Sequence, residues 1–255
     1  MQTRTDDEVV AEEGEAEKGL VIERRFTSAG ADPFDAFDWI EMSVEIRNPD
    51  GSLADEIHGV QLPSGFAGVP GKVCAQKYLR KAGVPAALRK VAEDGVPGWL
   101  QRSEPDHEKL QTLAPEDRFV GETDGRELFR RLAGTWTYWG WTHGYFASEA
   151  DARAFYDEMA YLIASQRSAP NSPQWFNTGL NWAYGITGPA QGHHYVDAVT
   201  GELNLSEDAY THPQPHACFI QSVGDSLVGG TESIMGLWNR EALLFKYGSG
   251  TGSNF

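Results

Sequence analysis

The sequence has little cysteine and no long apolar run, and these two absences exclude several classes of protein. Cys74 and Cys218 are the two cysteines in 255 residues, too few for the disulfide framework of a small secreted domain. No apolar run approaches the roughly 18 residues of a membrane-spanning helix. The first residues lack the basic and apolar regions of a signal peptide. We therefore expect a cytoplasmic protein that does not enter a membrane.

Basic residues are also scarce. Lys and Arg number 21 against 37 Asp and Glu, giving a formal net charge of −16. A general nucleic-acid or membrane-surface binder needs a basic face, so this balance excludes both classes. Acidic residues dominate residues 1–18, which have little to bury and are predicted to be a disordered acidic tail. Hydrophobic residues make up 40% of the chain, enough for a core.

The periodicity of apolar residues predicts an alternation of strands and helices. Strands are predicted at residues 19–26, 39–46 and 217–223, with a turn at 48–51. Helices are predicted at residues 71–82, 124–146, from the cap Ser148 onward, and 233–247. In the last helix, we expect a buried stripe of Ile234, Trp238, Ala242 and Phe245, with Gly248 ending the helix.

Proline and glycine predict a loop-rich region at residues 169–215. Within it, the sequence NSPQWFN at 171–177 is expected to be a polar and aromatic loop. The order of elements predicts a mixed α/β protein. A small N-terminal α+β domain at 19–165 precedes the first strand and helix units of an α/β-type catalytic domain at 166–255. The chain ends within a glycine-rich stretch, so we expect a truncated or split polypeptide.

Cys218 lies in the predicted strand at 217–223, after two prolines and two histidines. A free cysteine is commonly a small packed hydrophobe, and that interpretation stands beside a redox or nucleophilic thiol. Cys74 falls in a helical apolar pattern and is expected to pack in the core. The glycine-rich sequence GSGTGS at 248–253 could cradle a phosphate, or it could be a flexible turn, because no P-loop lysine follows it.

The histidines suggest a metal site only weakly. His193 and His194 are adjacent, and His212 and His216 are separated by two prolines, so the latter pair does not share a helix face. A zinc site normally uses three or four ligands at recognisable spacing. We therefore assign no metal ligand.

Several long stretches together resemble the catalytic chain of adenosylcobalamin-dependent class II ribonucleotide reductases. The resemblance is carried by NSPQWFNTGL at 171–180, QGHHYVD at 191–197, AYTHPQPHACFIQSV at 209–223 and LFKYGSGTGSNF at 244–255. The sequence VCAQKYL at 73–79 also fits the N-terminal region of the family. The resemblance implies that residues 166–255 open a ten-stranded α/β barrel.

The resemblance also implies roles for individual residues. Cys218 matches the first cysteine of the redox pair that delivers two electrons to the substrate. Ser172, Ala217, Cys218 and Gly250 match positions that contact the substrate. Asp225 matches a residue of the site where a deoxynucleotide effector sets base specificity. The implied partners are a ribonucleoside diphosphate, a deoxynucleoside triphosphate, a thioredoxin-type or dithiol reductant and a second copy in a homodimer.

The chain departs from the family pattern because the thiyl-radical cysteine and the second redox cysteine are absent from these 255 residues. The interpretation is therefore an N-terminal piece of a reductase that needs the remainder of the reductase chain and is inactive alone. Two alternatives stay open. One is a non-catalytic nucleotide-binding regulatory module, and the other is a zinc protein that uses His193, His194, His212 and His216.

Overall fold

A computed structural model of the chain describes residues 19–254. The predicted acidic tail at residues 1–18 lies outside the described residues. Strands are β1 Trp39–Arg47, β2 Leu53–Pro63, β3 Val84–Pro85, β4 Leu88–Lys90, β5 Ser103–Pro105, β6 Phe119–Val120, β7 His194–Val196, β8 Leu203–Leu205, β9 Cys218–Ser222 and β10 Gly250–Asn254. Helices are α1 Val69–Val73, α2 His107–Gln111, α3 Gly125–Thr142, α4 Glu149–Ala164, α5 Ser172–Asn177, α6 Leu180–Tyr184 and α7 Ile234–Lys246.

The architecture is mixed α/β, as predicted, and the sheets are small. Within residues 19–254 the strands form five two-stranded pairs, of which β9–β10 is parallel and the others are antiparallel. Helix α7 connects β9 to β10, so the C-terminal part forms a parallel β-α-β unit. The described residues contain no closed barrel. None of their helices has the length and hydropathy that a membrane crossing requires.

The main core lies between the β1–β2 hairpin and helices α3 and α4. Val44, Val60 and Leu62 of the hairpin are fully buried, and they join Leu128 and Phe129 of α3 in one cluster. The predicted strand at 39–46 is confirmed as β1, and the predicted turn closes by a hydrogen bond between Asn48 N–H and the Ser52 carbonyl. Its partner strand β2 was not predicted.

The two long helices begin where their capping residues predict. Asp124 and Glu127 form a capping box at the start of α3, and the Ser148 hydroxyl accepts the Asp151 N–H at the start of α4. Helix α3 ends at Thr142 rather than at residue 146, because Gly144 takes a left-handed conformation with φ of 69°.

The predicted strand at 19–26 is wrong apart from one residue. Leu20 exchanges backbone hydrogen bonds with Tyr145 and Ala147 in an isolated bridge. The following N–H groups instead bind carboxylates of α4: Ile22 donates to Asp151, and Phe26 donates to Glu158. The apolar pattern of this segment is typical of a strand, but its backbone N–H groups bind side chains of a helix that lies far away in the sequence.

The predicted helix at 71–82 is present in a different form. Helix α1 begins at Val69 and continues as a π-helical turn over Cys74–Tyr78, where Leu79 N–H reaches the Cys74 carbonyl five residues back. Cys74 packs in the core as expected and is 2% exposed. Burial, followed by the nearby Glu122 carboxylate, raises the pKa of the Cys74 thiol to about 12.

The predicted buried stripe of α7 is wrong. The helix has the expected cap, Ser233, and ends before Gly248. However, Trp238 is 64% exposed and Phe245 is 58% exposed, whereas Leu237 is buried. The apolar residues of α7 cover more than one face, so spacing alone could not identify the face that packs on β9 and β10.

A buried ion pair connects α3 to the segments around it. The side chains of Arg131 and Glu122 are at most 1% exposed and lie 2.8 Å apart. The Arg131 guanidinium also donates to the backbone carbonyls of Tyr78, Trp175 and Thr178. The Glu122 carboxylate accepts Tyr184 Oη at 2.7 Å and Arg80 N–H at 2.7 Å. Together these bonds join the π-helical turn, α3, α5 and α6.

Replacing Arg131 with methionine should be strongly destabilising. The change leaves the Glu122 carboxylate and three carbonyls buried without their cation, and removing one partner of a buried pair costs about 3–5 kcal/mol. Urea unfolding followed by circular dichroism measures the loss. The control is Arg130→Met next to it, because Arg130 forms an exposed pair with Asp32 that is worth about 0–1 kcal/mol. Equal losses in the two variants would contradict this role.

Candidate functional site

The exposed cysteine and the glycine-rich stretch meet in the parallel pair β9–β10. Cys218 is exposed on β9, and Gly250 of β10 is its partner in the register. A Cβ atom built on Gly250 would lie 3.5 Å from Cys218 Sγ and 3.4 Å from the Ala217 carbonyl oxygen. Glycine at 250 therefore leaves the face of the cysteine open. The strand predicted around Cys218 is confirmed, and the packed-core interpretation of this thiol is wrong.

The glycine-rich stretch is not a phosphate-cradling loop. Residues Gly250–Asn254 are strand β10, and Gly250 N–H donates to the Ala217 carbonyl. That N–H is therefore not free to bind a phosphate. Gly250 contributes to the site because it has no side chain. The pattern of glycines in the sequence was equally compatible with a turn.

A hydrogen-bond network fixes the turn that leads into Cys218. The Gln214 side chain accepts His216 N–H through Oε1, and its Nε2 donates to the His216 carbonyl at 2.9 Å. Ser249, which is 5% exposed, donates its hydroxyl to the same carbonyl at 2.7 Å. Asn177 of α5 donates to the Gln214 carbonyl at 3.3 Å. Thus α5, the turn before β9 and the residue before β10 are held together.

Ser172 begins a helix rather than lying in the predicted loop. It is the first residue of α5, with Pro173 following it at a position that favours helix initiation. Its hydroxyl is exposed and shares a hydrogen bond with Tyr78 Oη at 3.2 Å. In the described residues, no hydrogen bond joins Ser172 to Ala217, Cys218 or Gly250. The link between them is indirect, through Asn177 and Gln214.

Asp225 lies apart from the cysteine, on the exposed loop between β9 and α7. Within residues 19–254 its carboxylate has no hydrogen-bond or ion-pair partner, so it is free to accept a hydroxyl. Cys74 is in the opposite situation, since it is buried in the main core. Both cysteines are free thiols.

The histidines do not assemble a metal centre in the described part of the chain, where no group of three or more His, Cys, Asp or Glu side chains is placed to hold an ion. Two of them meet in another way. His193 Nε2 binds the backbone carbonyl of His212 at 2.5 Å, and the His212 ring stacks on Tyr195. The side chains of His193 and Tyr195 therefore pack the β7–β8 hairpin against the segment that carries His212.

A cavity that was not predicted lies beside the β9–β10 pair. Its volume is about 910 Å³, in the range of small-molecule sites. It is lined by Trp136, Trp139, Gln174, Gln191, Gly192, His193, His194, Tyr195, His212, Pro213, Gln214, Pro215, His216, Phe219, Leu243, Leu244, Tyr247 and Ser249. None of the residues predicted for the reductase site is among them, whereas the four histidines of the zinc alternative all are. The feature of the sequence that could have indicated this cavity is the cluster of glutamine, histidine and tyrosine at 191–195.

Comparison with known proteins gives one consistent result. Residues 40–166 match the family described as class II vitamin B12-dependent ribonucleotide reductase. The chain is 58% identical over 236 residues to a vitamin B12-dependent ribonucleotide reductase of Bradyrhizobium diazoefficiens, covering 92% of the chain and 19% of the relative. It is 58% identical to the protein of that name from Agrobacterium fabrum, in an alignment that covers 92% of the chain and 18% of the relative. It is 30% identical to the protein of that name from Rhodopirellula baltica, in an alignment that covers 92% of the chain and 19% of the relative.

The chain belongs to the class II vitamin B12-dependent ribonucleotide reductase family. It spans about a fifth of the length of the curated relatives that it matches. The family of oxidoreductases inferred from the motifs at 171–223 and 244–255 is thereby confirmed.

The two thiols should differ sharply in reactivity. A disulfide reagent such as Ellman's reagent at pH 8 should modify the exposed Cys218 quickly in the native chain. It should spare Cys74, which is 2% exposed and whose raised pKa of about 12 keeps the thiol protonated. Cys218→Ser should remove the fast phase, whereas Cys74→Ala, the control, should retain it. Rapid modification of two thiols in the folded protein would contradict the structure.

Proposed function

We propose that this chain is the N-terminal part of a reductase that converts ribonucleoside diphosphates to 2′-deoxyribonucleoside diphosphates for DNA synthesis and repair. The observation that carries the proposal is the exposed Cys218 thiol on β9, facing a glycine on the parallel strand β10, in a chain that belongs to this family. A thiol on a strand is held in one direction, and the glycine leaves room for a substrate above it.

In this proposal Cys218 is one half of a redox pair. Its thiol and a second thiol, from the remainder of the reductase chain, become a disulfide and release two electrons and two protons. The electrons reduce the ribose at C2′, whose hydroxyl leaves as water. A thioredoxin-type protein or another dithiol then returns the disulfide to two thiols.

The other predicted site residues receive matching roles in the proposal. Ser172 hydrogen-bonds the diphosphate and ribose end of the substrate with its exposed hydroxyl. Ala217 and Gly250 form the floor beside Cys218, where their mutual backbone hydrogen bond fixes the two strands. Asp225 accepts a hydroxyl of a deoxynucleoside triphosphate effector, which its exposed position and lack of a partner in residues 19–254 allow.

The proposal also covers the organisation of the whole protein. Residues 19–165 form the N-terminal domain, and residues 166–255, with the unit β9–α7–β10, open a ten-stranded α/β barrel that the remainder of the chain completes. The active form is a homodimer in the cytoplasm. The open parallel pair supports this proposal, because parallel strands are normally covered on both faces and continued by further strands.

Adenosylcobalamin enters the proposal through the family. The group supplies radical initiation when bound, but the described residues do not fit a complete site for it. The initiating radical must reach a cysteine near the substrate, and the cysteines here are Cys218, assigned to the redox pair, and Cys74, which is buried in the main core. We therefore assign no cobalamin contact within this chain.

A chimeric reductase tests the role of Cys218. In the chimera, this chain replaces the matching region of the Bradyrhizobium diazoefficiens reductase, and product is measured as deoxyribonucleotide formed with adenosylcobalamin and a dithiol. Cys218→Ser should lower turnover by at least roughly a thousandfold, as loss of a reacting group does. Cys74→Ala, the control, should stay within a few-fold of the parent chimera.

The isolated 255-residue chain tests the requirement for the remainder of the reductase. It should form no deoxyribonucleotide under the same conditions, because the second redox thiol is missing. Product from the isolated chain, or full turnover by the Cys218→Ser chimera, would contradict the proposal. Deoxynucleotide binding by the isolated chain together with an inactive parent chimera would favour the regulatory module instead.

A further inference from the structure

A two-lobed cleft separates helix α3 from the β7–β8 hairpin. The larger lobe is the cavity of about 910 Å³ described above, and the smaller has a volume of about 590 Å³. Trp136, Trp139, Tyr195 and His212 line both lobes, so the two spaces adjoin. The proposed reductase role uses none of these four residues.

The opposing walls of the cleft are flat and aromatic. Tyr195 and His212 are stacked with ring centroids 3.6 Å apart and planes 6° from parallel. The Trp136 indole is held by a hydrogen bond to Gln174 Oε1 at 3.1 Å. Trp139 lines both lobes, and its indole N–H has no hydrogen-bond acceptor in the described part of the chain. Such walls favour a planar ring, because aromatic groups stack face to face with an offset.

The larger lobe carries no permanent charge. Its lining contains no Asp, Glu, Lys or Arg, and its ionisable groups are histidines and tyrosines. Burial lowers the pKa of His212, while Asp208 and Asp197 act against this shift. A phosphate group would therefore meet no fixed cation in this lobe, and the chain as a whole is strongly acidic. An uncharged ligand is favoured over a nucleotide.

Polar atoms without partners line the same lobe. Gln191 Oε1 and His193 Nδ1 are buried and have no hydrogen-bond partner within residues 19–254. Gln174 Oε1 accepts from Trp136 and Thr178, which leaves its amide nitrogen to donate elsewhere. Buried polar groups in proteins normally have partners. Amide side chains pair well with the donor and acceptor edge of a nucleobase.

The cleft and Cys218 lie on opposite faces of β9. Phe219 lines the larger lobe, and successive side chains of a strand point to opposite faces, so the adjacent Cys218 points away from the lobe. A ligand in the cleft is thus not presented to the thiol.

We propose that this cleft binds an uncharged nucleobase, as the free base or the nucleoside. The base stacks between the Trp136 and Trp139 wall and the Tyr195–His212 wall, and its edge pairs with Gln191 and His193. The chemical class follows from the flat walls, the uncharged lining and the unpaired amide and imidazole atoms, and it is independent of the proposed reductase activity.

Calorimetric titration of the 255-residue chain with adenosine tests the site. Adenosine should bind at one site per chain, and Trp139→Leu should weaken binding roughly tenfold, since the change removes an aromatic ring on which the base stacks. The control is Trp99→Leu, because Trp99 is also a partly exposed tryptophan but lies outside both lobes, beside Tyr156. It should leave the affinity within twofold of the parent.

Two further measurements keep the test decisive if Trp139→Leu fails to fold. Gln191→Ala should weaken adenosine binding several-fold while retaining the parent circular dichroism spectrum. Adenosine triphosphate should bind more weakly than adenosine. Absence of adenosine binding, equal affinity in Gln191→Ala and the parent, or tighter binding of the triphosphate would each overturn the proposal.

Discussion

The buried pair of Arg131 and Glu122 is the interaction on which the rest of the described structure depends. A guanidinium offers five N–H donors in a fixed fork, and here they reach one carboxylate and three carbonyls, which belong to the π-helical turn and to α5 with its C-terminal cap. One charge on α3 therefore fixes the π-helical turn and α5, and Glu122 adds α6 through Tyr184. Gly179 completes the arrangement, because its φ of 87° and the adjacent Arg131 carbonyl leave no room for a side chain.

This arrangement connects the N-terminal core to the proposed site. Arg131 holds Trp175 and Thr178 of the α5 region, and Asn177 between them reaches the turn before Cys218. The exposed thiol is thus oriented by a chain of bonds that begins in the core. A single β-α-β unit has little core of its own, so this connection supplies rigidity that the two strands lack.

The sequence predicted those elements whose cause is local. Apolar and polar side chains alternate along β1, capping residues begin α3 and α4, and two prolines precede the strand around Cys218. At these places the sequence pattern and the structure agree. The stretch at 19–26 failed because its partners are carboxylates on a distant helix. The prediction of a buried stripe on α7 was wrong because the apolar residues of this helix lie on more than one of its faces. The pairing of Cys218 with Gly250 needed a crossover of about thirty residues, which no local pattern contains, and the larger lobe of the aromatic cleft joins five segments that are distant in sequence.

The parallel pair β9–β10 has a consequence for growth of the sheet. Within residues 19–254 both strands are edge strands, each paired on one side, and Ile220 on β9 is 82% exposed. An edge presents a row of backbone donors and acceptors that can template another strand. The same two edges that would let further strands extend the sheet on either side also make the isolated chain prone to join its own copies, strand against strand.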